Sequence, residues 1–385
     1  MSIPLKYNLR HLRRRWRSTL GTVLGIALVV AVFVMVMALA RGLKATYAST
    51  GQPDNWLIIR KGALAESSSQ ITVDEIRRAR NAEGIARDGK GEPLASEEMM
   101  ILITLPRMSG TRAHVQVRGI GPQGLALRPQ VQLVEGRMFR PGLRECIVSR
   151  DLARRFAGCR LGQRFRTGKL DWEVVGIFDA HHTAYDSEIW MAVDEAREAF
   201  HRTFYSALLL RAAPGAGPAV KAHIESDRSV HLRAVPEMDY FREQTKVGKP
   251  IQLLGASVAG LMSIGAAFAA MNAMYASVGA RTREIGTLRV LGFRRRSIYL
   301  SFIVESSIVA AAAGVLGCLL ALPLNGISTG MFNWASFAEV AFEFRVTAGL
   351  LVGGMLFALG MGLLGGLLPA RWAARKPVLE ALQAA

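Results

Sequence analysis

The sequence predicts an α-helical membrane protein in which four transmembrane helices carry a large extracytoplasmic α+β domain inserted between the first and second helices. Three observations lead there. Four long runs are almost free of charge, the segments flanking them alternate between strongly basic and not, and residues 41–250 are patterned like an ordinary soluble domain. A mean hydropathy of +0.23 over 385 residues is high for a soluble chain, and the apolar residues concentrate near the N-terminus and in the last third.

The elements follow in order. Residues 1–17 hold Lys6, Arg10, Arg13, Arg14, Arg15 and Arg17 and no acid. Residues 18–40 carry no charge over 23 positions. A helix of that length reaches about 34 Å, enough to cross a hydrocarbon core of about 30 Å. The run exceeds the apolar stretch of a signal peptide, so a retained span is expected although Ala38-Leu39-Ala40 looks like a cleavage site. The second span is 251–280, uncharged; the third is 297–324, with Glu305 alone; the fourth is 346–370, uncharged. The loop 281–296 holds Arg281, Arg283, Arg289, Arg294, Arg295 and Arg296 against Glu284, whereas the loop 325–345 holds Glu339, Glu343 and Arg345. The tail 371–385 is basic again, with Arg371, Arg375 and Lys376. Positive charge marks the cytoplasmic side, so both termini and the loop 281–296 are expected inside and residues 41–250 outside.

Within the outer domain, strands are expected at 54–61, 99–105, 112–120, 144–149, 164–166 and 172–178. Helices are expected at 73–81, 151–156, 193–200 and 218–226. A second lobe is expected near 130–185. The residues after Ala40 should extend the first span, and 236–249 should form a helix running into the second, the two making a stalk.

A formal net charge of +18 could suggest nucleic acid, but much of the excess lies beside the spans, where lipid headgroups account for it, and no recognition motif accompanies it. His181, His182, Asp186 and Glu188 are the best metal candidates, yet they match no metal-ligand spacing, and a solvated loop is the reading adopted. Neither a P-loop nor a serine-hydrolase elbow occurs, so a membrane-anchored outer hydrolase is only a remote alternative. Cys318 lies within an apolar span. Cys146 and Cys159 both fall in the outer domain, where a disulfide is permitted but not dictated by spacing.

The loop reads Arg281-Thr-Arg-Glu-Ile-Gly-Thr-Leu-Arg-Val-Leu-Gly-Phe-Arg-Arg-Arg-Ser297. Ile285, Leu288 and Leu291 recur at helical spacing, and Gly292 should end the helix with Phe293 as an anchor. This string resembles the "RTREIGxLRALG" coupling helix of the FtsX-like/MacB-type permeases of ABC transporters. Glu305 in Phe-Ile-Val-Glu-Ser-Ser matches an acidic position common in that family. Leu368-Pro-Ala-Arg-Trp-Ala-Ala-Arg-Lys-Pro-Val-Leu-Glu-Ala-Leu382 is similar to its C-terminal motif. Val117-Arg-Gly-Ile, Glu135-Gly-Arg-Met-Phe and Trp172-Glu-Val-Val-Gly-Ile-Phe are similar, less specifically, to the periplasmic domain of MacB-type members.

The resemblance implies a non-catalytic subunit of the inner (cytoplasmic) membrane of a bacterium, binding no cofactor itself. ATP and Mg²⁺ would sit on a dimer of cytoplasmic ABC ATPases carried on another chain. A second permease copy (identical or a paralogue), membrane lipids and, in some members, a periplasmic adaptor are the other implied partners. ATP-driven movement of the outer domain for export or extraction is the implied role, with activation of a cell-wall hydrolase as the alternative. Arg283, Glu284, Ile285, Gly286, Leu288, Leu291 and Gly292 are then the expected ATPase contact. Glu305 is either a functional acid within the membrane or a headgroup-level partner of a loop arginine. The pairs Gly21/Gly25, Gly349/Gly353 and Gly362/Gly366 suit close helix packing, within one copy or between two.

Overall fold

A helix that hides its backbone polar groups along its own axis is the natural conformation for a long uncharged run. In the computed structural model, which describes residues 10, 16–167, 170–227, 229–245, 249–333 and 338–376, the four runs are four helices. They span Trp16–Ala48, Lys249–Ala280, Arg295–Ala321 and Ala348–Arg375, and each is long and apolar enough to cross a membrane. The first continues two turns beyond Ala40, as expected. The junction at 246–248, where the helix Glu237–Gln244 was expected to run into the second span, lies outside the described residues.

The chain divides into two units. In the helical unit (1–41, 250–327 and 344–385), Ile26, Ala27, Val30 and Val34 of the first helix share a core with Ala270, Ala313, Cys318, Leu350, Ala358 and Met361. Phe33 stacks on Phe357 with ring centroids 4.5 Å apart. The third and fourth helices approach through glycine. A Cβ on Gly362 would meet Ala310, and one on Gly366 would meet Ser306. That pair packs within one copy, whereas Gly21, Gly25, Gly349 and Gly353 face open space in the chain.

The other unit joins 42–249 to 328–343. Its strands are β1 (Asn55–Arg60), β2 (Ala95–Pro106), β3 (Arg112–Ile120), β4 (Gln132–Gly136), β5 (Glu145–Ser149), β6 (Arg164–Thr167), β7 (Leu170–Asp179), β8 (Glu188–Ala192), β9 (Ala207–Arg211) and β10 (Leu232–Pro236). They form one sheet in the order β10-β1-β9-β2-β3-β8-β5-β7-β4, with β6 also on β7. Among the described strands, β3–β8 and β5–β7 alone pair in parallel. Two cores fill it. Ile58, Leu208, Leu210 and Ala234 pack under the helices Val73–Arg80 and Gly217–Ser226, and Met99, Ile103, Val117, Trp172, Ile189 and Met191 build the other. The second lobe expected at 130–185 is therefore not separate: its strands continue the sheet, and its core draws on β2, β3 and β8.

Local chemistry sets the helix starts. Thr72 caps Val73–Arg80: its hydroxyl accepts from the Glu75 amide, and the Glu75 carboxylate accepts from the Thr72 amide at 2.8 Å. Ser149 caps Arg150–Arg155 through the Leu152 amide.

One further expectation is corrected. Residues 325–345 are not a plain loop, because β11 (Ser328–Asn333) and β12 (Ala338–Glu343) form an antiparallel hairpin that belongs with the sheet-bearing unit. Cys146 and Cys159 are free thiols buried in one apolar core, and burial pushes both thiols up, that of Cys159 to about 12.

Candidate functional site: the loop helix and its ion pair

The loop between the second and third long helices folds as a helix over Thr282–Val290. Gly292 adopts φ +91, a conformation that costs a side-chained residue, and the turn closes as a Schellman motif. The Phe293 amide bonds the Leu288 carbonyl and the Gly292 amide bonds the Arg289 carbonyl, each at 3.1 Å.

One face of this helix is locked. Ile285, 4% exposed, packs with Met274 and Val278 of the second long helix, Ile298 and Phe302 of the third, and Ala370 and Ala373 of the fourth. Thr282 is buried and accepts from the Lys376 ammonium at 3.0 Å. Lys376 itself lies over the Trp372 ring, and Trp372 packs edge-on against Tyr275. Arg281, immediately before the helix, donates to Glu305 at 2.9 Å and to Glu284 at 3.3 Å. Its guanidinium lies 5.4 Å from the Phe302 ring centroid. Arg281 and Glu305 are both buried, so their attraction is little screened by solvent.

The other face is open. Arg283, Glu284, Thr287, Leu291 and Gly292 are exposed and Leu288 is half-buried. Val290 and Leu291, 63% and 66% exposed, place two apolar side chains beside these charges.

The expected contact set therefore divides. Arg283, Glu284, Leu291 and Gly292 can meet a partner, and Leu288 in part. Ile285 and Gly286 cannot, because the helix turns them into the chain's own core. Glu305 pairs with the loop arginine Arg281. The residues missed were Arg281, read only as a topology charge, and Val290, which shares the open face with Thr287 and Leu291.

Glu305 also borders a cleft among the four long helices, lined with the hydroxyls of Thr19, Thr22, Ser277 and Ser306. Its volume is about 50 Å³, room for one or two waters.

The expected metal candidates in the sheet-bearing unit have other engagements. Glu188 accepts from Arg118 at 2.7 Å, within a buried cluster where Arg118 also meets Glu66 and Glu98, and Arg128 meets Glu98. Burial drives the Glu66 carboxyl up. The Glu98 carboxyl, which burial alone would raise, is held low by Arg128 and Arg118. Asp186 accepts from the Ala180 amide, and burial pushes it up to about 6. His182 faces Glu343 at 3.2 Å. Among the described residues no three His, Cys, Asp or Glu side chains gather as a metal site.

Two family descriptions match the chain. The MacB-like periplasmic core domain covers residues 19–227, and the FtsX-like permease C-terminal region covers 256–378. The chain is similar to the macrolide export ATP-binding/permease protein MacB of Bdellovibrio bacteriovorus, 22% identical over 95% of this chain and 58% of that protein. It thus spans little more than half the length of that relative. It is also similar to the ABC transporter permease YknZ of Bacillus subtilis, 24% identical over 97% of this chain and 96% of that one. The periplasmic region of MacB from Actinobacillus actinomycetemcomitans superposes at a TM-score of 0.39 with 10% identity, over 51% of this chain and 94% of that one.

Proposed function

This chain belongs to the FtsX/MacB-type family of ABC transporter permeases, and from that premise we propose that it is the membrane subunit through which a separate cytoplasmic ATPase drives movement of an outer domain. The four long helices make it a multi-pass membrane protein. We place it in the inner membrane with both termini and the Thr282–Val290 helix in the cytoplasm, because the basic segments lie there.

The observation that carries the reading is the two-faced loop helix. Its inner face, through Ile285, Thr282 and Arg281, is bound to the ends of three long helices. Its outer face presents Arg283, Glu284, Val290 and Leu291. A helix so fixed passes on a push that a flexible loop would absorb. ATP and Mg²⁺ are assigned to the ATPase, whose dimer would engage two permease copies.

The export or extraction of a cargo fits this arrangement if the cargo is handled at the outer domain.

The test is co-purification from membranes with the ATPase encoded nearest to this chain. Wild type should hold the ATPase. The pair Val290→Asp with Leu291→Asp should lose it while inserting and melting normally. An ATPase that binds neither chain, or both equally, would overturn the reading.

A further inference from the structure

The hairpin β11–β12 carries, one pair from the Asn333/Ala338 end of its ladder, a carboxylate that the proposed function does not use. Glu339 accepts from both Arg107 and Arg155, and its side chain is only 10% exposed. The two arginines arrive from different segments, the end of β2 and the helix Arg150–Arg155. Those segments are joined by hydrogen bonds from the Met108 amide to the Arg155 carbonyl at 2.9 Å and from the Ala157 amide to the Pro106 carbonyl at 3.0 Å. The two arginine-bearing segments are thus held together by bonds that do not involve the hairpin.

The hairpin is shaped for this seat. Gly330 pairs with Ala341 across the ladder, and a Cβ at Gly330 would collide with the Glu339 side chain. Glycine lets the carboxylate lie across β11. Val340, Ala341 and Phe342 are buried, the Ala341 amide donates to the Ser187 hydroxyl at 2.6 Å, and Glu343 faces His182.

The chain leads from this seat directly into two membrane helices. Residues 322–327, with a short 3-10 turn at Leu322–Leu324, link β11 to the third, and residues 344–347 link β12 to the fourth. These links are not slack. The Gly326 amide bonds the Phe344 carbonyl at 3.0 Å, the Phe344 amide bonds the Ile327 carbonyl at 3.1 Å, and the Val346 amide donates to the Asn325 side chain at 2.9 Å. Links of six and four residues, tied to each other in this way, are short covalent paths between the hairpin and the two helices.

We propose that the hairpin is a clamp by which movement of the third and fourth spans reaches the outer domain, and that Glu339, held by Arg107 and Arg155, is the positioning residue that keeps it seated. This rests on the ATP-driven reading above. It adds a route distinct from the helices that lead directly into and out of residues 42–249.

Hydrogen exchange on the full chain, reconstituted with its ATPase in nanodiscs with and without ATP and vanadate, tests it. In wild type, ATP with vanadate should change exchange in 112–120 and 184–192, the segments that receive β12. In Glu339→Ala the peptide carrying Ala341 should exchange roughly ten-fold faster. The nucleotide-dependent change should vanish while the ATPase stays bound. Glu339→Gln, which keeps the shape without the charge, separates a loosened clamp from a misfolded hairpin: it should exchange faster than wild type at Ala341 and slower than Glu339→Ala. An unaltered nucleotide response in Glu339→Ala overturns the clamp and leaves the permease reading standing. A wild-type chain that binds the ATPase yet shows no nucleotide response overturns both.

Discussion

Arg281 and Glu305, separated by 24 residues in sequence, form a buried ion pair of 2.9 Å that joins the start of the loop helix to the body of the third membrane helix. Removing one partner of such a pair strands a buried charge at a cost of about 3–5 kcal/mol, whereas replacing both with apolar groups is often neutral. Glu305→Leu should therefore lower thermal stability in detergent far more than Glu305→Leu with Arg281→Leu. If the rigid link matters to coupling, the double variant should bind the ATPase but hydrolyse ATP without a response of the outer domain. Equal melting of single and double variants would mean that the pair is not an energetic unit.

The two faces of the loop helix should separate stability from binding. Ile285→Asp buries a charge among Met274, Ile298 and Phe302 and should reduce the amount of folded chain recovered. Leu291→Asp, on the open face, should shift stability by less than about 0.5 kcal/mol and weaken ATPase retention. An Ile285 variant that folds normally and loses only the ATPase would contradict the burial of that side chain.

The sequence disclosed the spans because absence of charge over more than twenty positions has few other solutions, and the loop helix because its apolar spacing and Gly292 are local signals. It did not disclose which loop residues face inward: Ile285 and Leu291 look alike in sequence, and only the ends of the neighbouring helices distinguish them. The strands β4, β8, β9 and β10 went unread. β8 begins with Glu188 and holds Trp190, whose indole donates to that carboxylate, so its polar start conceals a buried strand. The hairpin was missed for a different reason: Glu339 finds Arg107 and Arg155 at separations of 232 and 184 residues, which no local pattern records.

The buried cluster around Arg118 should be structural. Arg118→Met takes from Glu66 and Glu188 the guanidinium they share and leaves Glu98 with Arg128, and the expected loss is about 3–5 kcal/mol of stability. Arg118→Lys should not rescue it, because a single ammonium cannot reproduce the fork that meets Glu66, Glu98 and Glu188 together. Chemical denaturation of the purified chain checks both variants, and a lysine variant with wild-type stability would show that charge alone suffices.

Asp186 gives the sheet-bearing unit a pH dependence of definite sign. Burial raises its carboxyl in the folded chain from 3.8 to about 6; the nearby Asp151 and Asp179 add to this, and the Ala180 amide opposes it. A folded-state value above the unfolded one means the folded chain holds the proton more tightly. The resulting stabilisation is complete below about pH 3.8 and fades as pH rises through about 6. Fully ionised, the buried carboxylate costs on the order of 3 kcal/mol relative to its protonated form. Asp186→Asn keeps the oxygen that accepts from Ala180 and removes the titration. The variant should melt higher than wild type at pH 8 and close to it at pH 4, and the difference between the two proteins should open between pH 4 and pH 7. A constant difference across that range would assign the effect to the lost carboxylate's shape or hydrogen bonding rather than to its charge.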